Sequence, residues 1–252
     1  MVTRRVIPCL DVRDGRVVKG VRFQGLRDQG DPAALAQSYE AQGADEIVML
    51  DVSATPEGRR TALETVRAIR EVLSIPLTVG GGVRSLADAR ALLEAGADKV
   101  SVNTAAFEDP GLLSAIAEGL GRQCAVLALD AARRPEGGFE VLVRSGRQRT
   151  GRDAVAWARE AVAAGAGEVL LTSWDRDGTG EGYDLDLLAA VCQAVPVPVI
   201  ASGGADRPED LVAAFRAGAD AVLAASIFHE GRWTVDRLKE HLAREGIEVR
   251  RC

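Results

Sequence analysis

A (β/α)8 barrel of the TIM type, built from two half-barrels that repeat one another, is the α/β architecture predicted by this 252-residue sequence. Three observations carry the prediction. Eight short β-like runs alternate with longer amphipathic or alanine-rich segments, the pattern of βα units around a parallel sheet. Related turns announce four of the strands, in "QGADEIVML", "AGADKVSV", "AGAGEVLL" and "AGADAVLA", where Gly suits the left-handed residue that closes a helix. The chain also repeats at half its length. Gly81-Gly82 recurs as Gly203-Gly204, "GAD" at Gly96 recurs at Gly218, and "DEIVML" at Asp45 recurs as "GEVLLT" at Gly167, each 122 residues on. Four units used twice suit a closed barrel, in which equivalent strands face one another. A doubly wound open sheet would usually carry a G-x-G-x-x-G turn after its first strand, and "LDVRDG" is not one.

Taken in order, the expected strands are Val6 to Leu10, Glu46 to Leu50, Leu77 to Val79, Lys99 to Val102, Ala125 to Leu129, Glu168 to Leu171, Val197 to Ala201 and Ala221 to Ala224, with helices between and after them. Residues 1–252 are read as one barrel domain, since barrels of this length are common as single units. A formal charge of −6 and a pI near 5.2 argue against a general nucleic-acid or anionic-membrane binder. No long apolar stretch targets or spans a membrane. Cys9, Cys124, Cys192 and Cys252 show no paired spacing, and His229 and His241 lie far from any cysteine cluster. These features predict a reduced, cytoplasmic protein with no metal site.

The first strand ends in Asp11 and the fifth in Asp130. Active sites of such barrels lie where the strands end, so the two acids are expected to oppose each other across the mouth. Each could simply begin a loop and cap nearby amides. As a symmetric pair they suit proton removal and proton donation from opposite sides of one substrate.

"TVGGGVRS" after the third strand and "IASGGADRP" after the seventh put consecutive glycines before a helix, where exposed N–H groups attract an anion. Asn103 and Thr104 in "SVNTAAF", and Ala225 and Ser226 in "LAASIF", would complete two phosphate sites with Gly82 and with Gly203 and Gly204. Tight βα turns also use Gly for steric reasons alone. "DRDGTGEGYD" after the sixth strand reads either as a surface loop or as a cover with Asp177, Gly178 and Thr179 toward the second phosphate. "DGRVVKGVRF" reads as a small hairpin over the mouth carrying Lys19, one of three lysines among 31 basic residues. At the strand starts stand Arg5, Glu46, Lys99 and Glu168, either solvated ends or a ring of ion pairs closing the floor.

At "CLDVRDGRVVKG", "TVGGGVRS", "DKVSVNTAA", "LTSWDRDGTGEGYD" and "IASGGA...AASIFH" the sequence resembles the cyclase subunits of imidazole glycerol phosphate synthase, in histidine biosynthesis, over essentially its whole length. The resemblance implies a barrel that takes phosphoribulosyl-formimino-aminoimidazole carboxamide ribonucleotide and ammonia. The expected products are imidazole glycerol phosphate and aminoimidazole carboxamide ribonucleotide. It implies Asp11 and Asp130 as the acid–base pair and Lys19 as an assisting loop lysine, with one phosphate at Gly82, Asn103 and Thr104. The other phosphate falls to Asp177, Gly178, Gly203, Gly204, Ala225 and Ser226. It further implies a glutaminase subunit docked on the strand-start face as a heterodimer, an ammonia gate at Arg5, Glu46, Lys99 and Glu168, and no cofactor. The sister isomerase of the same pathway shares the twofold architecture, and a non-catalytic phosphate-binding barrel is the third alternative. "CLDV" followed by "GRVVKG", with the charged floor, favours the cyclase.

Overall fold

The computed structural model describes residues 3–21, 24–54 and 63–250, without the side chains of residues 19, 21 and 24–26. Eight parallel strands close on themselves: β1 (Arg5–Arg13), β4 (Ile47–Asp51), β5 (Leu77–Gly80), β6 (Lys99–Val102), β7 (Ala125–Arg133), β10 (Glu168–Ser173), β11 (Val199–Ser202) and β12 (Ala221–Ala224). Neighbours pair in that order, β12 returns to β1, and β7 pairs with β10 to seal the second half. All eight predicted strands are present. β11 begins two residues later than expected, after Pro198, which has no N–H to give to a ladder.

β1 and β7 overrun their expected ends most, to Arg13 and Arg133 in place of Leu10 and Leu129, because each continues into an antiparallel extension over the mouth. β1 turns at Asp14-Gly15 into β2 (Arg16–Val21), which pairs with β3 (Gln24–Gly30). β7 turns into β8 (Phe139–Val143), which pairs with β9 (Gln148–Asp153). The hairpin expected from Asp14 to Phe23 is therefore one part of a three-strand device, and that device is repeated. Lys19 lies on β2 opposite Arg27; its side chain is outside the described residues.

The repeat reaches the small contacts as well. Asp31 caps the helix Pro32–Ala41 by accepting from Ala34 N at 2.9 Å, and Asp153, 122 residues on, caps Ala154–Ala163 through Ala156 N at 2.8 Å. Asp98 accepts from Leu77 N at 2.8 Å and Asp220 from Val199 N at 3.1 Å, so each half pins one strand start to the next.

Because side chains alternate along a strand, every stave has an inward row. Ile7, Cys9, Val48, Val126, Leu170, Ile200, Ala221 and Leu223 fill the barrel lumen as an apolar plug. The alternate residues, among them Val6, Leu10, Ile47, Met49, Leu127 and Leu129, pack outward under the helices with Trp157, Leu113 and Phe215. On β1 the inward row reads Arg5, Ile7, Cys9, Asp11, a charge at the floor, two apolar residues and an acid at the mouth. An acid at the end of an apolar strand is thus the residue where the inward row leaves the plug and meets the cavity.

Candidate active site

Two adjoining cavities open at the strand ends, of about 740 and 360 Å3, and Leu50 and Thr172 line both. The larger is lined by Asp51, Gly81, Gly82, Ser101, Asn103, Thr104 and Asp130. The smaller is lined by Asp11, Asp177, Gly178, Gly203, Gly204, Ala225 and Ser226. Every expected residue of each phosphate site falls in one cavity, and one acid of the pair lines each.

Asp130 is the inward residue of β7 after Val126 and Ala128. Its Oδ2 accepts from Asn103 Nδ2 at 2.9 Å, and the same amide reaches Leu142 O at 3.4 Å on β8. Asn103 thus braces the acid with its side chain, a contact the sequence reading does not contain. Burial, and then the nearby Asp177 charge, push the Asp130 carboxyl up to about 7, against the pull of the Asn103 hydrogen bond toward the ionised form. Asp11 is buried, accepts a weak hydrogen bond from Cys9 Sγ at 3.6 Å, and stands beside Leu50 on β4. Behind it, His229 Nε2 lies 3.0 Å from Cys9 O while His229 Nδ1 lies 2.6 Å from the Tyr39 hydroxyl. The short helix Ser226–His229 is tied in this way to the stave that carries Asp11.

The glycine turns are sterically obligatory. Gly81 has φ +87°, and a Cβ there would overlap the Asp51 carbonyl oxygen; Gly204 has φ +100°, and a Cβ would overlap the Gly182 carbonyl. Gly182 N donates to Gly204 O at 2.8 Å, so the loop after β10 lies directly on the second turn. Both ends of that loop are clamped by Arg133. Its N donates to Asp175 Oδ2 at 2.8 Å, and its guanidinium reaches Asp184 at 2.7 Å and Asp186 at 2.9 Å.

At the opposite end of the barrel the four predicted charges form a closed ring. Arg5 meets Glu46 at 2.8 Å and Glu168 at 2.5 Å, and Lys99 meets Glu46 at 2.9 Å and Glu168 at 2.8 Å. Thr78 Oγ1 donates to Glu46 at 2.5 Å. Glu46 is 1 % and Glu168 5 % exposed, so these are not solvated strand ends. Burial works against the Arg5 charge, yet Glu168 and Glu46 hold its pKa above the usual value.

Sequence reasoning missed Asp51, Ser101 and Thr172. Asp51 ends the apolar run "EIVML" just as Asp11 and Asp130 end theirs, which was a usable signal. Its Oδ1 accepts from Ser53 N and Oγ and from Ala54 N, shaping the loop after β4. Ser101 and Thr172 are isolated polar residues at the ends of inward rows, visible only once the strand phase is known. Among the described residues no helix is long and apolar enough to cross a membrane.

The sequence model of the family described as "Histidine biosynthesis protein" matches residues 5–234. The chain is 59 % identical to the imidazole glycerol phosphate synthase subunit HisF of Metallosphaera sedula, over 99 % of this chain and 100 % of that protein. It is 58 % identical to the HisF subunit of Beutenbergia cavernae, over 99 % of each. It is 54 % identical to that of Methanopyrus kandleri, over 100 % of this chain and 99 % of that protein. With a family match over most of the chain and identities of this size over its full length, the chain belongs to the histidine-biosynthesis protein family, and within it to the HisF cyclase subunits of imidazole glycerol phosphate synthase.

Proposed function

We propose that this chain closes an imidazole ring by adding ammonia to phosphoribulosyl-formimino-aminoimidazole carboxamide ribonucleotide, releasing imidazole glycerol phosphate and aminoimidazole carboxamide ribonucleotide. The observation that carries the proposal is the acid pair, Asp11 in one cavity and Asp130 in the adjoining one, with Asp130 able to hold a proton near neutral pH. Addition of ammonia leaves a cationic nitrogen that must lose a proton, while expulsion of water and of the amine product needs protons delivered. Two carboxyl groups on opposing staves can divide that work.

The phosphates occupy the two glycine turns, one at Gly82, Asn103 and Thr104, the other at Asp177, Gly178, Gly203, Gly204, Ala225 and Ser226. Backbone N–H groups in left-handed turns are suited to anions. Lys19, on the extension that follows β1, assists as a cation. The working oligomer is a heterodimer with a glutaminase subunit bound at the strand-start face. Ammonia then passes the ring of Arg5, Glu46, Lys99 and Glu168 and travels the apolar lumen as the neutral molecule, since ammonium would carry an unpaired charge into it.

The test is to incubate the purified chain alone with the bis-phosphate substrate and an ammonium salt and to separate the products by chromatography. Appearance of both products in equal amounts supports the assignment. No turnover, or isomerisation of the preceding bis-phosphate without ammonia, overturns it.

A further inference from the structure

Three successive residues in the turn between β8 and β9 lie in the left-handed region: Arg144 and Ser145 at φ 56° and Gly146 at φ 75°. Side-chain-bearing residues rarely adopt this conformation, and when they do the surroundings must hold them there. Three contacts do so. Arg147 N donates to Arg144 O at 3.3 Å, and Arg144 N donates to Thr104 Oγ1 at 2.9 Å. Gly146 lies so close to the Trp174 ring that a Cβ would overlap it. The turn borders the larger cavity, which Arg144, Ser145, Arg147 and Arg84 help to line. Arg144 is engaged by Glu108 at 3.2 Å, whereas Arg147 and Arg84 have no ion-pair partner among the described residues. Because Thr104 Oγ1 accepts from Arg144 N, its own proton is left to be donated elsewhere. In the smaller cavity Arg232 is already bound to Asp206 and Glu230.

We propose that the turn Arg144–Arg147 is an anion clamp over the larger cavity: Arg147 contacts the substrate phosphate bound there, and the Arg144–Thr104 hydrogen bond turns the Thr104 hydroxyl proton toward the same group. This rests on the reading of that cavity as a phosphate subsite and adds to it a specificity-determining residue outside the glycine turns. Trp174 is the brace, since its ring fixes Gly146 and so sets the height of the turn. The clamp belongs to one end of the substrate and breaks the twofold symmetry of the phosphate sites.

Steady-state kinetics with the bis-phosphate substrate and ammonium test it. Arg147→Gln is expected to raise KM about tenfold, the scale of one lost charge-assisted contact, with kcat within about twofold of the parent. Arg147→Lys should recover part of that loss, and Gly146→Ala should raise KM by lifting the turn from Trp174. Arg159→Gln, an exposed charge on an outer helix, controls for net charge and should change neither constant. Unchanged KM in Arg147→Gln, or a fall in kcat at constant KM, overturns the clamp while leaving the functional reading intact. An unmodified chain that neither binds nor turns over this substrate overturns that reading, and the clamp with it. Arg147 is exposed, so its replacement does not endanger the fold on which the measurement depends.

Discussion

The Asn103 side-chain amide donates to Asp130 Oδ2 at 2.9 Å, joining the residue after β6 to the mouth end of β7. This bond favours the carboxylate, whereas burial and the Asp177 charge favour the acid, and the balance stands at about 7. Removing the amide removes the only one of these influences that lowers the pKa. In Asn103→Ala the limb of the kcat/KM profile that reports Asp130 should therefore move to higher pH, by about one unit for a hydrogen bond to a charged group. A pH series from 5 to 9 on both proteins checks it. A limb that stays in place or moves to lower pH rules out this bond as the tuning contact.

Asp130→Asn should separate activity from stability. The substitution keeps size and loses proton transfer, so ammonia-dependent turnover is expected to fall by about 10²- to 10⁴-fold, as it should in Asp11→Asn. The pKa of Asp130 is raised in the folded chain, so between the ordinary carboxylate value and about 7 the folded state holds more protons than the unfolded one. Stability contributed by this group is present at low pH and is lost as pH rises through that window. The Asn variant escapes the loss. It should exceed the parent in unfolding free energy at pH 8 by on the order of 1–3 kcal/mol, reduced from the full shift because Asp130 faces the cavity, with little difference near pH 4. Denaturant melts at the two pH values decide it; an Asn variant no more stable at pH 8 means that Asp130 ionises without penalty.

Most of the barrel was legible because short apolar runs alternate with longer helical segments, and because the pattern recurs 122 residues on, so that each half constrains the other. The acids at Asp11 and Asp130 could be read because each interrupts an apolar row. Asp51 has the same signature, but its repeat mate is Ser173, so no pair drew attention to it. The antiparallel extensions were half legible. "RVVKGV" alternates visibly, while "QRTGRD" in β9 is polar and exposed and gains its strand character only from pairing with β8. The charged floor could not be weighed from sequence. Four charges at strand starts are ordinary, and only closure of the barrel turns Glu46 and Glu168 inward and buries them.

The two glycine turns predict two anions. Crystals grown with sulfate or phosphate should hold one ion against Gly82 and Thr104 and another against Gly204 and Ser226, because the two turns line separate cavities and left-handed glycine turns are suited to anions. Gly81→Ala should abolish the first selectively, since its Cβ would overlap the Asp51 carbonyl and force the turn open. Difference density for the first ion in that variant would mean that the Gly81-Gly82 turn does not bind it.

The floor ring separates a structural role from a gating one. Lys99 is the only described cation besides Arg5 that reaches Glu46 and Glu168, and both carboxylates are buried. Lys99→Ala therefore leaves buried negative charge half-compensated and should destabilise the chain by about 3 kcal/mol, well above the 0–1 kcal/mol of an exposed pair. If the ring only closes the barrel, that loss in unfolding free energy is the whole phenotype, and folded protein should turn over equally well with either nitrogen source. If it admits ammonia from a glutaminase docked below, the sources diverge. Turnover with glutamine and the partner should fall or uncouple from glutamine hydrolysis, because the passage sealed by four interlocked charges can no longer open in response to docking. Turnover with free ammonium, which enters from the wide cavities at the mouth, should survive. Both activities are to be measured for Lys99→Ala and Arg5→Ala over a range of partner concentrations, below the temperature at which either variant begins to unfold. Parallel losses with the two sources would remove the gate and leave the ring as the bolt that closes the barrel floor.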